Sequence, residues 1–285
     1  MGFKGGEINT VGIVGLGLIG GSLARTARLS AGFRVFAYDI NADVMEAAAK
    51  EGVINGDLNA ATLPECDIIL VALYPGASVE WVKKNARHIG KNTVLVDCCG
   101  VKRAVEEGIR PIAEEHGFPY VGGHPMAGKA KVGYSASTVN LFAHSSMILT
   151  EGDKAVKPFL EDFFMKLGFG SIKWSTADEH DRIIAYTSQL AHVLSSAYVK
   201  SPSAVTHTGF SAGSFRDMTR VAWLNENMWT ELFMDNADYL ADEIEGLSQR
   251  LMEYAAAIRQ NDEKELFRLL KEGRERKEYV EEISK

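Results

Sequence analysis

Short apolar runs alternate with helical patterns over the first half of the chain. The runs are VGIV (11–14), RVFAY (34–38), DIILVA (67–72), NTVLVD (92–97), PYVGG (119–123) and SMILT (146–150). Between them Val44–Glu51, Ala77–Ile89 and Val101–His116 space their apolar residues by three and four, as one face of a helix requires. Such alternation predicts a mostly parallel sheet covered by helices on both faces. Lys154–Leu167 and Ser171–Trp174 read as a last helix and strand of the same domain.

Beyond about Ser175 the pattern turns helical. Ala177–Val199 reads as one long helix, and Ser201-Pro202-Ser203 breaks it. Phe215–Leu224, Asn227–Gln260 and Asp262–Ile283 continue in helix, with Asn261-Asp262 as stop and N-cap between the last two. A chain of 285 residues exceeds the commonest single-domain size. Two domains are expected, at 1–175 and 176–285, the second all-α. Long apolar-striped helices near the end suggest a homodimer through the helical domain; a bundle within one chain is the other reading.

The first run carries the sharpest chemical signal. Val11–Val14 leads into Gly15, Gly17 and Gly20, with Leu18 and Ile19 between the last two, and Asp39 ends the next run. G-x-G-x-x-G between strand and helix gives a tight turn, a backbone that can approach a pyrophosphate, and close packing of helix on strand. The helix N-terminus adds free N–H groups and a positive dipole end. An acid at position 39 suits the ribose hydroxyls of NAD and repels a 2′-phosphate, and no Arg or Lys at 40–42 compensates. The expected fold is therefore a Rossmann-type domain followed by a helical one, with NAD as cofactor. Ser22, on the fingerprint helix, is expected to assist the phosphate contacts.

Composition narrows the partners. The chain is 46% hydrophobic and 24% charged, ordinary for a soluble protein. A net charge of −7 with scattered basic residues argues against nucleic acid or an anionic membrane. No apolar run reaches the ~18 residues of a membrane span, and the first ten residues lack a signal-type stretch; the cytoplasm is expected. Cys66, Cys98 and Cys99 are too few and too badly spaced for a disulfide framework or a zinc site. No metal is expected.

Ligands of open α/β sheets bind beyond the carboxyl ends of the strands. That rule selects Tyr74-Pro75-Gly76, Asp97–Lys102 and Gly123–Gly128. His124 stands between glycines and a proline, in a stiff loop, and an imidazole can move a proton at neutral pH. It is the candidate catalytic residue, and Tyr74 is a candidate cofactor contact. His180-Asp181 reads as a structural helix start, and His88, His116, His144 and His207 have no context that raises them.

GLGLIGGSLA (15–24), DCCGVKR (97–103), GGHPMAG (122–128), SFRDMTRVA (214–222) and MWTELFMDN (228–236) together resemble the prephenate/arogenate dehydrogenase family of tyrosine biosynthesis. The resemblance implies that NAD(P) takes a hydride from C4 of a cyclohexadienol while the ring carboxylate leaves as carbon dioxide. It implies that His124 hydrogen-bonds the C4 hydroxyl and that Arg220, in Asp217-Met218-Thr219-Arg220, binds a substrate carboxylate. A guanidinium fork suits that task. Arg216 is a weaker second candidate, and a surface ion pair with Asp217 is the plainer role for Arg220. His192, last of SQLAH (188–192), would line the cleft on this resemblance and otherwise reads as a packed core histidine.

Two places in the chain depart from the family. Gly100 stands where a serine is common, and Lys129-Ala130-Lys131 stands where a hydroxyl residue and a glutamate are common. The lysines make the pocket more positive, so Lys129 is a candidate for the side-chain carboxylate of prephenate, and prephenate is expected over arogenate. Arogenate dehydrogenase and a nucleotide-binding sensor without turnover are the competing readings.

Overall fold

The computed structural model describes residues 8–129, 131–152 and 154–283. Six strands form one parallel sheet: β1 (Thr10–Val14), β2 (Arg34–Tyr38), β3 (Gly56–Asp57), β4 (Ile68–Val71), β5 (Val94–Asp97) and β6 (Tyr120–Val121). Their order is β3-β2-β1-β4-β5-β6, all pairs parallel. This is the dinucleotide-binding order, reversing between β1 and β4.

The strands read as unbroken apolar runs because both faces of the sheet are buried. Val11, Ile13, Val35, Ala37, Leu70 and Val96 point into one core. There they meet Leu23 of α1 (Leu18–Arg25) and Phe163 and Phe164 of α5 (Lys157–Lys166). Val14, Phe36, Ile69, Val71 and Leu95 point the other way. They meet Trp81 and Val82 of α3 (Pro75–Asn85) and Val105 and Ile109 of α4 (Arg103–His116). The remaining helix of this region, α2 (Ala42–Lys50), starts at Asn41, whose side chain accepts from the amides of Asp43 and Val44.

A second sheet departs from the single sheet expected. The run 119–123 is divided: Tyr120–Val121 stays in the main sheet, while β7 (Gly123–Pro125) pairs antiparallel with β8 (Ser146–Thr150). β8 pairs parallel with β9 (Ser171–Ser175). Met147 and Leu149 of β8 pack into the first core, so the small sheet is a continuation of that layer. This division turns the chain at the end of β6 and carries residue 124 out of the main sheet.

The helical region begins with α6 (Ala177–Ile184), capped by Thr176, which accepts from the Glu179 amide. It runs through one π-helical stretch at Ala185–Gln189 into α7 (Leu190–Val199). Short α8 (Gly213–Thr219) and α9 (Glu226–Met234) follow. The helix expected over Asn227–Gln260 is in fact two, because the turn at Asp235–Asn236 separates α9 from α10 (Ala237–Arg259). The cause is a tertiary demand on Asn236. Its fully buried amide donates to the carbonyl of Asp181 (2.9 Å) and to Gln189 Oε1 (2.8 Å), and accepts from Arg103 Nη2 (3.0 Å).

By compactness the chain divides into Met1–Asn236 and Ala237–Lys285. In the second unit α10 packs on α11 (Glu263–Ile283), and Tyr254 donates to the Leu269 carbonyl at 3.1 Å. Asp262 caps α11 by accepting from the Glu265 amide, as the sequence predicts. Among the described residues no helix is long and apolar enough to cross a membrane.

Candidate active site

The glycine turn has the geometry a dinucleotide needs. Gly15 lies at φ +84°, and a Cβ there would stand 2.7 Å from the Ala72 carbonyl oxygen. A Cβ on Gly20 would land 1.8 Å from the Gly15 carbonyl oxygen, so only glycine lets α1 start this close to β1. Above Gly17, by contrast, nothing lies within 4 Å. Gly17 is the N-cap of α1, no side chain caps that end, and its first turn holds no acid. Leu18 and Ile19, both partly exposed, supply the next amides, which lack intrahelical acceptors by position. An open cradle of main-chain donors fits a pyrophosphate.

Asp39 follows β2 and is tied to this loop. Its Oδ2 accepts from the Leu16 amide at 2.7 Å and its Oδ1 from the Asn41 amide at 2.8 Å. It stays partly exposed, with lone pairs left for hydroxyl donors. Tyr74, 47% exposed, is the N-cap of α3. Ser22 departs from expectation: it is fully buried, donates to the Leu18 carbonyl and accepts from the Thr138 amide, so it fastens the 134–138 segment.

His124 sits on β7, opposite Ile148. Beneath it lies a buried polar group. The Lys102 ammonium, fully enclosed, meets Asp97 Oδ1 and donates to the Gly123 carbonyl at 2.6 Å. Asp97 also accepts from the Tyr120 hydroxyl and the Cys99 amide. Burial is the largest single influence and acts against the charge on Lys102, but Asp97 with Cys99 and Cys98 together hold the ammonium above its ordinary range. The backbone before His124 is thus fixed by a charge-assisted bond.

His124 as a residue is half-buried. Its Nδ1 lies 2.9 Å from Nε2 of His180, whose Nδ1 lies 2.7 Å from Asp181 Oδ1. On the opposite edge, a Cβ at Gly100 would stand 4.0 Å from His124 Nε2. Burial first, then His180 and Lys102, hold His124 well below the usual histidine range. It is a neutral imidazole at neutral pH, able to accept a proton. His180 was expected only to start a helix; the capping is done by Thr176, and His180 instead touches the candidate catalytic histidine.

α9 connects this edge to the predicted substrate residues. Leu232 comes within 3.4 Å of where a Gly100 Cβ would be, and its carbonyl accepts from Gln189 Nε2 at 2.9 Å. Three residues earlier on the same face, the Trp229 ring stands 4.0 Å from the His192 ring. Glu231 accepts from the Gly76 amide at 2.7 Å, which ties α9 to the start of α3. His192 Nδ1 lies 2.9 Å from the Val221 carbonyl, next to Arg220. Burial, with some opposition from that carbonyl, sets His192 below its usual pKa. Arg220 is exposed in the turn after α8 and forms no ion pair with Asp217 or any other described residue. Arg216 is likewise exposed, on α8.

The two lysines of the loop after β7 are both exposed. Lys129 Nζ is 3.3 Å from the Ala136 carbonyl and from Thr138 Oγ1, on the segment fastened to α1. Lys131 is exposed, and Ala130 lies outside the described residues.

Two family models match the chain. Residues 23–167 match "Prephenate dehydrogenase, nucleotide-binding domain", and residues 176–272 match "Prephenate dehydrogenase, dimerization domain". The chain belongs to the prephenate dehydrogenase family. A prephenate dehydrogenase of Lactococcus lactis is 29% identical over 279 residues, covering 94% of this chain and 77% of that protein. A cyclohexadienyl dehydrogenase of Zymomonas mobilis is 29% identical, covering 92% of this chain and 93% of that one. Among solved structures, prephenate dehydrogenase of Aquifex aeolicus with hydroxyphenyl propionate and NAD+ superimposes with a TM-score of 0.85 at 26% identity. It covers 97% of this chain and all of that one. Synechocystis arogenate dehydrogenase gives 0.78 at 25% identity, covering 95% and 99%. The prephenate dehydrogenase family thus accounts for both the α/β and the helical regions.

Proposed function

We propose that this chain is an NAD-dependent prephenate dehydrogenase, converting prephenate to 4-hydroxyphenylpyruvate and carbon dioxide. The observation that carries the reading is half-buried His124, whose Nε2 faces side-chain-free Gly100 and which is joined through α9 to a guanidinium with no ion-pair partner among the described residues. NAD, when bound, supplies the acceptor for the hydride that leaves C4 of the ring. Gly15, Gly17, Leu18, Ile19 and Gly20 would hold its pyrophosphate, Asp39 its adenosine ribose, and Tyr74 its flank. His124 accepts the C4 hydroxyl proton, which raises electron density at C4 and lowers the barrier to hydride departure. Loss of the ring carboxylate as carbon dioxide then restores aromaticity, and His124 returns the proton to the phenol oxygen.

Arg220 takes a substrate carboxylate, with His192 and the open surface at Gly100 shaping the pocket. Lys129 contributes positive charge at longer range. Residues 1–175 serve the cofactor, and residues 176–285 serve the substrate and a homodimer contact, in the cytoplasm. The family's dimerization domain supports that contact.

Arogenate is the second reading, favoured by likeness to the Synechocystis arogenate dehydrogenase. Purified protein mixed pairwise with NAD or NADP and with prephenate or arogenate, followed by nicotinamide absorbance, decides between them. The expected outcome is the highest kcat/KM for NAD with prephenate. A preference for arogenate reverses the substrate assignment, and no reduction with any pair removes the enzyme reading.

A further inference from the structure

A neutral imidazole has one N–H and one lone pair, and only the lone pair can take a proton. The bonds behind His124 determine which nitrogen carries it. They begin at groups whose direction is fixed. Asp181 accepts from the Lys102 amide at Oδ1 (2.7 Å) and from the Arg103 amide at Oδ2 (2.8 Å). Main-chain amides only donate, so these bonds favour the ionised carboxylate. Burial opposes the charge on Asp181, but His180 and these amides together hold its pKa below the ordinary value.

An ionised Asp181 can only accept, so His180 Nδ1, 2.7 Å from Asp181 Oδ1, donates. A neutral His180 then has only a lone pair at Nε2. The atom 2.9 Å away is His124 Nδ1, which must supply the proton. A protonated His180 would reverse that last bond. His180 is only 2% exposed, and burial, aided by the Lys102 ammonium, disfavours the charge even against Asp181.

We propose that His180 and Asp181 are positioning residues that hold His124 in its Nδ1–H tautomer, leaving the Nε2 lone pair on the edge that faces Gly100. The proposal rests on the dehydrogenase reading in one respect: that edge is where the C4 hydroxyl is placed. The bond between His124 and His180 joins residues 56 apart in the chain, one on the small sheet and one on α6. It gives the buried acid in α6 a task beyond holding the start of α4.

Histidine side-chain 15N–1H spectra of the whole protein read the tautomer directly, with the His124 signals assigned by their loss in His124→Gln. The expected spectrum has His124 protonated at Nδ1 and unprotonated at Nε2. An Nε2–H form overturns the proposal, even if the protein is an active dehydrogenase. His180→Ala is expected to release the imidazole to a mixture of tautomers and to lower kcat by about tenfold to a hundredfold. KM for prephenate is expected to hold within about twofold, as for a group acting on the chemical step. His180→Gln offers an amide oxygen to His124 and an amide nitrogen to Asp181, and is expected to recover both tautomer and turnover. An Ala variant that keeps both the Nδ1–H form and the wild-type kcat overturns the proposal. An Ala variant that fails to fold leaves the decision to the wild-type spectrum. Wild-type protein with the Nδ1–H form but no turnover on any substrate would sink the enzyme reading and uphold the tautomer assignment.

Discussion

His124 turns its Nε2 toward Gly100, and a Cβ placed on Gly100 would lie 4.0 Å from that nitrogen. The same Cβ would lie 3.4 Å from Leu232 Cδ2, an ordinary van der Waals contact. A small side chain therefore fits here without displacing the main chain, and a hydroxyl could bridge the imidazole and the substrate oxygen. Gly100→Ser is expected to fold normally and to raise kcat/KM by roughly threefold to tenfold, the value of about one added hydrogen bond. Steady-state kinetics check it. A drop in kcat/KM would mean that Gly100 is needed for the space it leaves.

Asp39 holds the Leu16 amide, and the proposed function gives it the adenosine ribose as well; one substitution separates the two. Asp39→Asn keeps an oxygen for the Leu16 amide but removes the charge that repels a 2′-phosphate. Two like charges about 5 Å apart near a protein surface repel by roughly 3 kcal/mol. The ratio of kcat/KM for NAD over NADP is expected to fall by about tenfold to a hundredfold. An unchanged ratio would place the source of cofactor choice elsewhere.

Arg220 has no described ion-pair partner to lose. Arg220→Gln is thus expected to leave thermal stability unchanged and to lower kcat/KM for prephenate by roughly 10- to 150-fold, the value of a charge-assisted hydrogen bond. NAD affinity, measured by calorimetry, should stay the same. Arg220→Lys should recover only part of the loss, because a point charge cannot grip both carboxylate oxygens.

The depressed histidines give a pH dependence with a definite sign. Burial is the first cause for His124, His180 and His192 alike, and all three lie below the ordinary histidine value of 6.5 when folded. Between the folded pKa and 6.5 the unfolded chain binds protons that the folded chain refuses. Folding stability is therefore full above pH 6.5 and declines as pH falls through it. Each excluded proton contributes a slope of about 1.4 kcal/mol per pH unit. Asp181 acts lower down: its contribution is present above 3.8 and lost as pH falls through its depressed folded value. Urea unfolding from pH 8 to pH 5 checks the sign, and His124→Gln should flatten the slope. The acid limb of kcat/KM should likewise fall below pH 6.5.

Much of this was legible along the chain because local rules govern it. The strand at 11–14, the glycine turn and Asp39 follow from backbone sterics and burial on both sheet faces, which a short window of sequence carries. The Asn261-Asp262 stop is local capping chemistry. His124 stood out by its glycine- and proline-rich setting. What stayed hidden depends on distant partners. Nothing near His180 announces a ring 56 positions earlier, and the apolar stripe through Asn236 conceals an amide satisfied by Asp181, Gln189 and Arg103. Ser22 illustrates the converse: its position on the fingerprint helix is readable, but its direction is set by Thr138, more than a hundred residues away.

In the proposed reaction His124 takes the proton that lets the hydride leave. The most direct measurement compares wild type and His124→Ala for nicotinamide reduction and carbon dioxide release with prephenate and NAD, alongside NAD affinity. The expected result is a loss of rate of about two to four orders of magnitude with NAD affinity retained. A variant that turns over prephenate at the wild-type rate would contradict it.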